Sequence, residues 1–445
     1  MCSQKFRFTR SPKGRSMART RRSFLAQVGS VAASAFAAPL ILPSRVFGAN
    51  ERITIASIGV KNQGTNNLKA FLKTDVDIAA LCDVDSKVLG VAAELVGKDK
   101  PKPATFGDYR EILDQKGIDA VVITVPDHWH ALMSIHACQA GKDVYCEKPL
   151  SLTIMEGRRM VQAARDNKRI VQTGSQQRSS REFWQACMLV RNGMIGDISE
   201  VHVGIPSPNH PGKLGPDTEA PSELNYDLWL GPAPLKKYNE KRVHYNFRFW
   251  WDYSGGQMTN FGAHHLDIAQ WGLGMDDSGP VACDGTATFH PEKFHEVTET
   301  VRLVYTYANG VKVTCGQGQK DIQQGARFIG SKGEVWVNRG KITSTVEGLL
   351  DQKLDDAKVQ LYRSKSHHQN FLDCIKSREL PICDVEIGHR SATVCHLGNL
   401  VARLGHGVKW DPAAEKIVGD DAAQAMTDKD YRAPYTHDMR YTAKN

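Results

Sequence analysis

The chain has 445 residues, of which 41% are apolar and 24% charged, enough for two ordinary domains with proper cores. Its formal charge of +8 is unevenly placed: nine of the 57 Lys and Arg fall in residues 1–49, which hold no Asp or Glu, so the other 48 face 49 acids. The bulk of the chain is near neutral, which excludes the basic surface that nucleic-acid binding requires.

The first element is "ARTRRSFLAQVGSVAASAFAAPLIL", residues 18–42. Arg21 and Arg22 precede Ser23-Phe24-Leu25 and a short Ala-rich run that ends at Pro39 and Pro43. This is the pattern of a twin-arginine export signal, which sends proteins out already folded. It predicts the twin-arginine machinery as a partner and a periplasmic or otherwise exported location. Cleavage is expected between Ala37 and Asn50, a retained anchor is the alternative, and Met17 is an alternative start. No later segment is long or apolar enough to cross a bilayer. Beyond Cys2 there are nine cysteines, an odd number, mostly inside apolar runs such as "IAALCDV", as expected of buried thiols in a chain that folds in a reducing cytosol.

From Glu51 the pattern alternates strand, glycine turn and helix. "RITIASIG", "DVDIAALCDVD", "DAVVITVP" and "DVYCEKP" read as strands, and "RIVQTGSQQR" adds a fifth near residues 170–173. "DSKVLGVAAELVG" and "HALMSIHACQAG" read as helices. The second has Asp127 as its N-cap, Ala131, Ile135 and Cys138 on one face, and Gly141 as its stop. The alternation predicts a parallel, doubly wound dinucleotide-binding domain over residues 50–177.

After about Arg178 strands follow one another with tight turns and little helix. "YANGVK" places Asn309-Gly310 between two alternating runs, a strong hairpin signal. Seven prolines between Pro206 and Pro234 mark a long loop, functional or disordered. The predicted fold class is α/β: the Rossmann domain, then an α+β domain over 178–445 with a large, mostly antiparallel open sheet.

Chemistry concentrates at a few positions. In "SIGVKNQGTNN", Gly59 and Gly64 hold the first and last places of G-x-G-x-x-G, with Lys61 in the middle one. Asp83 ends the second strand, where a carboxylate accepts from a ribose 2′-hydroxyl and repels a 2′-phosphate, which favours NAD over NADP. In "GKDVYCEKPLSLT", Pro149 holds Lys148 extended at the end of a parallel strand, where ligands bind in such sheets. A cationic nicotinamide nearby would lower the Lys148 pKa, and Glu147 would raise it. His128 and His130 have H-x-H spacing but no third ligand at a recognisable spacing, so no metal is expected. Gln176 is a candidate cofactor or substrate contact in the same crevice. Arg248, Trp250 and Asp252, in "FRFWWDYSGG", suit either a saccharide pocket or the edge of a Trp-rich core. In the later helical segment Ala392, Cys395, Leu397 and Leu400 read as core, and His389 and His396 as structural.

With these residues in view, the chain resembles the Gfo/Idh/MocA oxidoreductases from Arg52 to Tyr435, through "CDVD", "VPDHWHA", "GKDVYCEKPLS", "YDLWLGPAP", "DYSGGQMTNFGAHHLDIAQW" and "GVKWDP". The resemblance implies a nicotinamide cofactor in the first domain, with Pro126, His130 and Glu147 among its contacts. It also implies a sugar, polyol or related alcohol held against the second domain, and association of copies into a homo-oligomer through the second sheet. In that family an Asp and a His four residues apart work with the lysine of E-K-P. Here His264 takes the histidine place and Asn260 stands where the acid is expected, so His264 is expected to be a weaker base, or the orienting role passes to Asp267 or Asp252. His265 is expected to be structural or on the rim.

The expectation is an exported oxidoreductase in which His264 takes a hydroxyl proton and Lys148 polarises the same oxygen, with Arg248, Asp252 and Asn260 against the substrate. Free NAD is scarce outside the cytosol, so the cofactor is expected to leave with the protein and be recycled in place. The alternatives are an NAD-dependent glycosidase working by oxidation, elimination and reduction, and a saccharide-binding protein without catalysis, which Asn260 and Lys61 would favour.

Overall fold

Six parallel strands make the first layer: β1 (Ile53–Ile58), β2 (Val76–Cys82), β3 (Ala104–Phe106), β4 (Ala120–Ile123), β5 (Asp143–Cys146) and β6 (Val171–Thr173), in the order β3-β2-β1-β4-β5-β6. The structure is a computed structural model that describes residues 52–443; the export signal read from the sequence lies outside the described residues. The central strands β4 and β5 are buried throughout, as parallel strands covered on both faces must be. The edge strand β3 is three partly exposed residues, too short for an apolar pattern to announce it. The order reverses between β1 and β4, and a doubly wound sheet opens its ligand crevice at that point.

The helices between these strands begin where side chains can satisfy free backbone amides. Asp85 caps Ser86–Gly97 by accepting from the amides of Lys87 and Val88, and Thr153 with Glu156 forms a full capping box on Ile154–Asp166. The helix Asp127–Gln139 differs from expectation: Asp127 is its first residue rather than its cap, and Pro126 precedes it. The reason is that the Asp127 side chain faces inward and accepts from Ser254 Oγ at 2.5 Å.

The second layer is a nine-stranded sheet of β7 (Ile198–Ile205), β8 (Ala282–Phe289), β9 (Thr298–Thr306), β10 (Lys312–Gln317), β11 (Gly325–Gly330), β12 (Gly333–Asn338), β13 (Lys341–Ser344), β14 (Val408–Asp411) and β15 (Lys416–Ile417). Their order is β13-β12-β11-β7-β10-β9-β8-β14-β15, antiparallel throughout except for the β7–β10 pair. The β9–β10 hairpin turns at Asn309-Gly310, where Gly310 has a φ of +86°. Helices Arg181–Arg191, Gly262–Leu273 and Val385–Leu404 pack on this sheet around Leu266, Leu303, Phe328 and Leu397. The helix His367–Ser377 returns to the first layer, where Phe371, Leu372 and Ile375 join Ile55, Phe71 and Tyr145.

The nine cysteines described are all buried and free. No described helix is long and apolar enough to cross a membrane. The proline-rich loop after β7 has no helix until Tyr226–Leu230, yet it is anchored. The Ser86 amide donates to the Glu223 carbonyl and the Asn225 amide to the Val84 carbonyl, which fixes the loop beside the end of β2.

Candidate active site

A crevice of about 770 Å³ runs across the ends of β1, β2, β4 and β5 and is closed on its far side by residues of the second layer. Of the residues expected to act, Gly59, Asp83, Pro126, His130, Glu147, Lys148, Gln176, Arg248, Asn260 and His264 line it.

At one end lies the nucleotide fingerprint. Gly59 has a φ of +79°, and a Cβ there would stand 2.3 Å from the Thr124 carbonyl oxygen. A Cβ on Gly64 would stand 2.1 Å from the Gly59 carbonyl oxygen, so this glycine lets the helix Gln63–Phe71 seat against the turn rather than touching a ligand itself. Lys61 is exposed and turns toward the crevice. The Asp83 carboxylate accepts from the amides of Val60 at 2.9 Å and Asp85 at 3.0 Å, which aims it across the end of β2. Glu147 accepts from Asn67 Nδ2 at 3.0 Å and Gln63 Nε2 at 3.3 Å. Gln176 keeps a buried Oε1 with no partner. The tight Gly59 turn at the end of β1, the Asp83 carboxylate aimed across the end of β2 and the unpartnered buried amide oxygen of Gln176 fit a dinucleotide, which these residues would hold.

At the other end Lys148 Nζ donates to Asn260 Oδ1 at 2.8 Å and to the Asn260 carbonyl at 3.1 Å. Burial pulls its pKa down to about 8; Glu147 and Asp127 oppose this, while Arg248 and Arg339 add to it. His264 is 4% exposed, and its Nδ1 has no partner. Burial, together with the charges of Lys148 and Arg339, holds His264 well below the usual imidazole range, so it is neutral at physiological pH.

His130 is set up differently from its expected role. Its Nδ1 lies 2.7 Å from the Pro149 carbonyl oxygen and its Nε2 2.9 Å from that of Val125. Two carbonyls can only accept, so both ring nitrogens donate and the ring is an imidazolium. Burial works against that charge, but Cys146, Asp127 and the Pro149 carbonyl outweigh it and raise the pKa to about 10. His130 lines the crevice with no nitrogen left for a ligand, and it clamps the loops after β4 and β5 together. His128 Nε2 is taken by the Trp229 carbonyl, at 3.0 Å.

Two expectations, for Asp252 and Asp267, are corrected, and the open reading of Trp250 is decided in favour of core. Asp252 does not line the crevice: it pairs with Lys236 at 2.5 Å and Lys429 at 3.2 Å, and these two cations hold it outside. Trp250 is core, 4% exposed, with its indole N–H on the Lys241 carbonyl. Asp267 cannot orient His264, because Arg178 and Ser391 occupy its carboxylate at 2.7 and 2.6 Å in a fully buried cluster that also engages Asp276. His265, by contrast, is structural as expected, with Nδ1 on the Gly204 carbonyl. His389 and His396 likewise bond Glu415 and the Ser151 carbonyl.

Sequence reasoning missed Arg339, which reaches the crevice from the turn between β12 and β13 and donates to Gln177 Oε1 at 3.0 Å. Nothing local marks it, since "VNRGK" reads as an ordinary hairpin turn.

Two family models match the chain: "Oxidoreductase family, NAD-binding Rossmann fold" over residues 53–175 and "Oxidoreductase family, C-terminal alpha/beta domain" over residues 211–437. The chain belongs to the Gfo/Idh/MocA oxidoreductase family. Its first domain is therefore an NAD-binding Rossmann domain, in agreement with the Gly59 turn and the placing of Asp83. Among curated proteins it is 31% identical over 192 residues to a glycosyl hydrolase family 109 protein of Stenotrophomonas maltophilia, covering 41% of each chain. It is 31% identical over 154 residues to an alpha-N-acetylgalactosaminidase of Shewanella oneidensis, 33% of this chain and 34% of that one. The chain thus aligns with well under half the length of these relatives.

Two solved Gfo/Idh/MocA-like folds superpose across most of the molecule. One is the WlbA dehydrogenase of Chromobacterium violaceum in complex with NADH and UDP-GlcNAcA (TM-score 0.63, 20% identity, 84% of this chain and 99% of that one). The other is the myo-inositol 2-dehydrogenase of Lactobacillus plantarum (TM-score 0.57, 20% identity, 81% and 99%). At such identities the likeness is one of fold.

Proposed function

We propose that this member of the family is an exported oxidoreductase that acts on the CH–OH group of a saccharide or polyol, with tightly held NAD rather than NADP. The observation that carries the reading is the pairing of Lys148, with a pKa near 8, and neutral His264 in the crevice that holds the NAD fingerprint at its other end. Bound NAD supplies a two-electron acceptor. The protein does the rest. Asn260 fixes the Lys148 ammonium, which donates to the substrate hydroxyl oxygen and stabilises negative charge as it develops there. His264 is uncharged and takes the hydroxyl proton. His130 ties the loop that carries Lys148 to the loop after β4.

Export of folded protein and the scarcity of free NAD outside the cytosol favour a cofactor that leaves with the chain and is regenerated within each cycle. The glycosyl hydrolase family 109 relatives favour a second form of that economy, in which oxidation, elimination and re-reduction of one substrate cleave a glycoside with no net redox change.

The test is to recover exported protein, denature it and identify any dinucleotide released, then to offer saccharides and glycosides to the intact protein. Stoichiometric NAD and a sugar-dependent rise in reduced nicotinamide support oxidation. Release of aglycone without accumulation of reduced cofactor supports the glycosidase form. Protein that leaves empty and binds no added NAD defeats both.

A further inference from the structure

Two guanidiniums in the crevice have no carboxylate partner among the described residues. Arg248 donates to the Tyr245 carbonyl and lies on the Tyr245 and Phe247 rings, its Cζ 3.8 and 5.0 Å from their centroids. Arg339 donates only from Nε, to Gln177, and lies 5.5 Å from the Phe261 ring, so both of its Nη groups remain open at the mouth of the crevice. Several other guanidiniums are answered by acids, Arg178 by Asp267 and Asp276, Arg158 by Glu386 and Glu415, Arg165 by Asp384, while buried Arg169 spends its donors on the Asn167 and Gly141 carbonyls. Arg339 differs in keeping donors open toward a crevice.

The position of these charges matters as much as their number. Both arginines depress Lys148, and Arg339 depresses His264, so the uncompensated charge sits at the end where the chemistry occurs. Gln177 is 2% exposed and binds Arg339 through Oε1 while its Nε2 reaches the His264 carbonyl at 3.4 Å, which ties the guanidinium to the backbone of the proton acceptor. The acids nearby are already engaged: Glu147 by Asn67 and Gln63, Asp83 by two backbone amides, and buried Asp127 by Ser254. Lys148, Arg248 and Arg339 therefore converge on the substrate end. Glu147 and Asp127 act on Lys148, and Asp127 on Arg248, without pairing with either, while no acid acts on Arg339. Such an unanswered charge attracts negatively charged ligands.

We propose that the substrate is an anionic saccharide of the uronate type, whose carboxylate is held by the fork of Arg339 with Arg248 beside it. The planar guanidinium offers two parallel N–H donors that match a carboxylate. This rests on the saccharide reading above. The competing source of negative charge is the cofactor pyrophosphate. That group belongs at the Gly59 turn of the first layer, whereas Arg339 arrives from the second layer beside His264.

The experiment uses NAD-loaded protein and two matched pairs, glucose with glucuronate and galactose with galacturonate. It reads hydride transfer by nicotinamide absorbance and, independently of turnover, binding by calorimetry. The uronate of at least one pair is expected to bind about tenfold or more tightly than its neutral partner. R339Q should cut that preference about tenfold and R339K should restore part of it, as for a partly exposed charge pair, with NAD affinity unmoved. Arg339 is an exposed turn residue, and unchanged melting of R339Q confirms that folding is intact.

Preference for the neutral sugar, or a uronate preference that survives in R339Q, overturns the inference and leaves saccharide oxidation standing. Loss of NAD affinity in R339Q in place of uronate preference assigns the guanidinium to the cofactor and also overturns it. If no member of either pair binds or transfers hydride to the loaded protein, the saccharide reading and the inference fail together.

Discussion

Lys148 Nζ donates to Asn260 Oδ1 at 2.8 Å, which puts a neutral amide against the ammonium where the family resemblance calls for a carboxylate. The amide orients the ammonium without adding the charge that would hold its proton, and burial then brings the pKa to about 8. His264 has no partner on Nδ1, and burial with the Lys148 and Arg339 charges holds its pKa well below the usual imidazole range.

Replacing Lys148 tests its role directly. K148M keeps the length of the side chain and removes the donor. It should lower kcat by about 10²–10⁴-fold while NAD still binds, measured by single-turnover absorbance and by dinucleotide content.

The pH dependence has a defined shape. Lys148 works as the cation, so kcat/KM should fall as pH rises through about 8 in the free enzyme. His264 works as the neutral base and stays neutral until well below its usual range, so no acid limb should appear near pH 6.5. A pH–rate profile with a limb at that lower position would instead mean that His264 is solvated and titrates normally.

N260D restores the carboxylate. It should raise the Lys148 pKa by about 1 unit or more and move the alkaline limb upward by the same amount. The readout is the limb position, which a purely structural role for Asn260 would leave in place.

Asp267 serves the fold rather than the chemistry. D267N would leave the fully buried Arg178 short of one of its two carboxylates. It should cost about 3–5 kcal/mol of stability by urea denaturation, with any surviving folded protein retaining its pH–rate limb.

Acid stability follows from the cluster that joins Arg158, Arg390 and His389 to Glu386 and Glu415. Burial opposes ionisation of both carboxylates, but the guanidiniums prevail, holding Glu386 down to about 2 and Glu415 well below the usual range. A depressed carboxylate contributes stability above its unfolded pKa of about 4.3 and loses it as pH falls through the folded value. The urea midpoint should therefore drop between about pH 4.5 and 2, and E386Q should flatten that drop.

The first layer and much of the site are legible along the chain. Strand–helix alternation has a fixed period, and Gly59, Asp83 and Lys148 sit at strand ends that a parallel sheet brings to one edge. The nine buried thiols and the Asn309-Gly310 turn were equally legible, because local burial and local backbone preference leave a local pattern. Which polar residues remain open to a ligand emerges from the folded packing. Asp252, Asp267 and Arg248 look alike along the chain, yet two lysines neutralise the first, buried Arg178 claims the second, and the third is left without an acid. Arg339 reaches the crevice solely because β12 and β13 turn at its mouth. Charge compensation depends on partners far apart in sequence, and the fold alone chooses them.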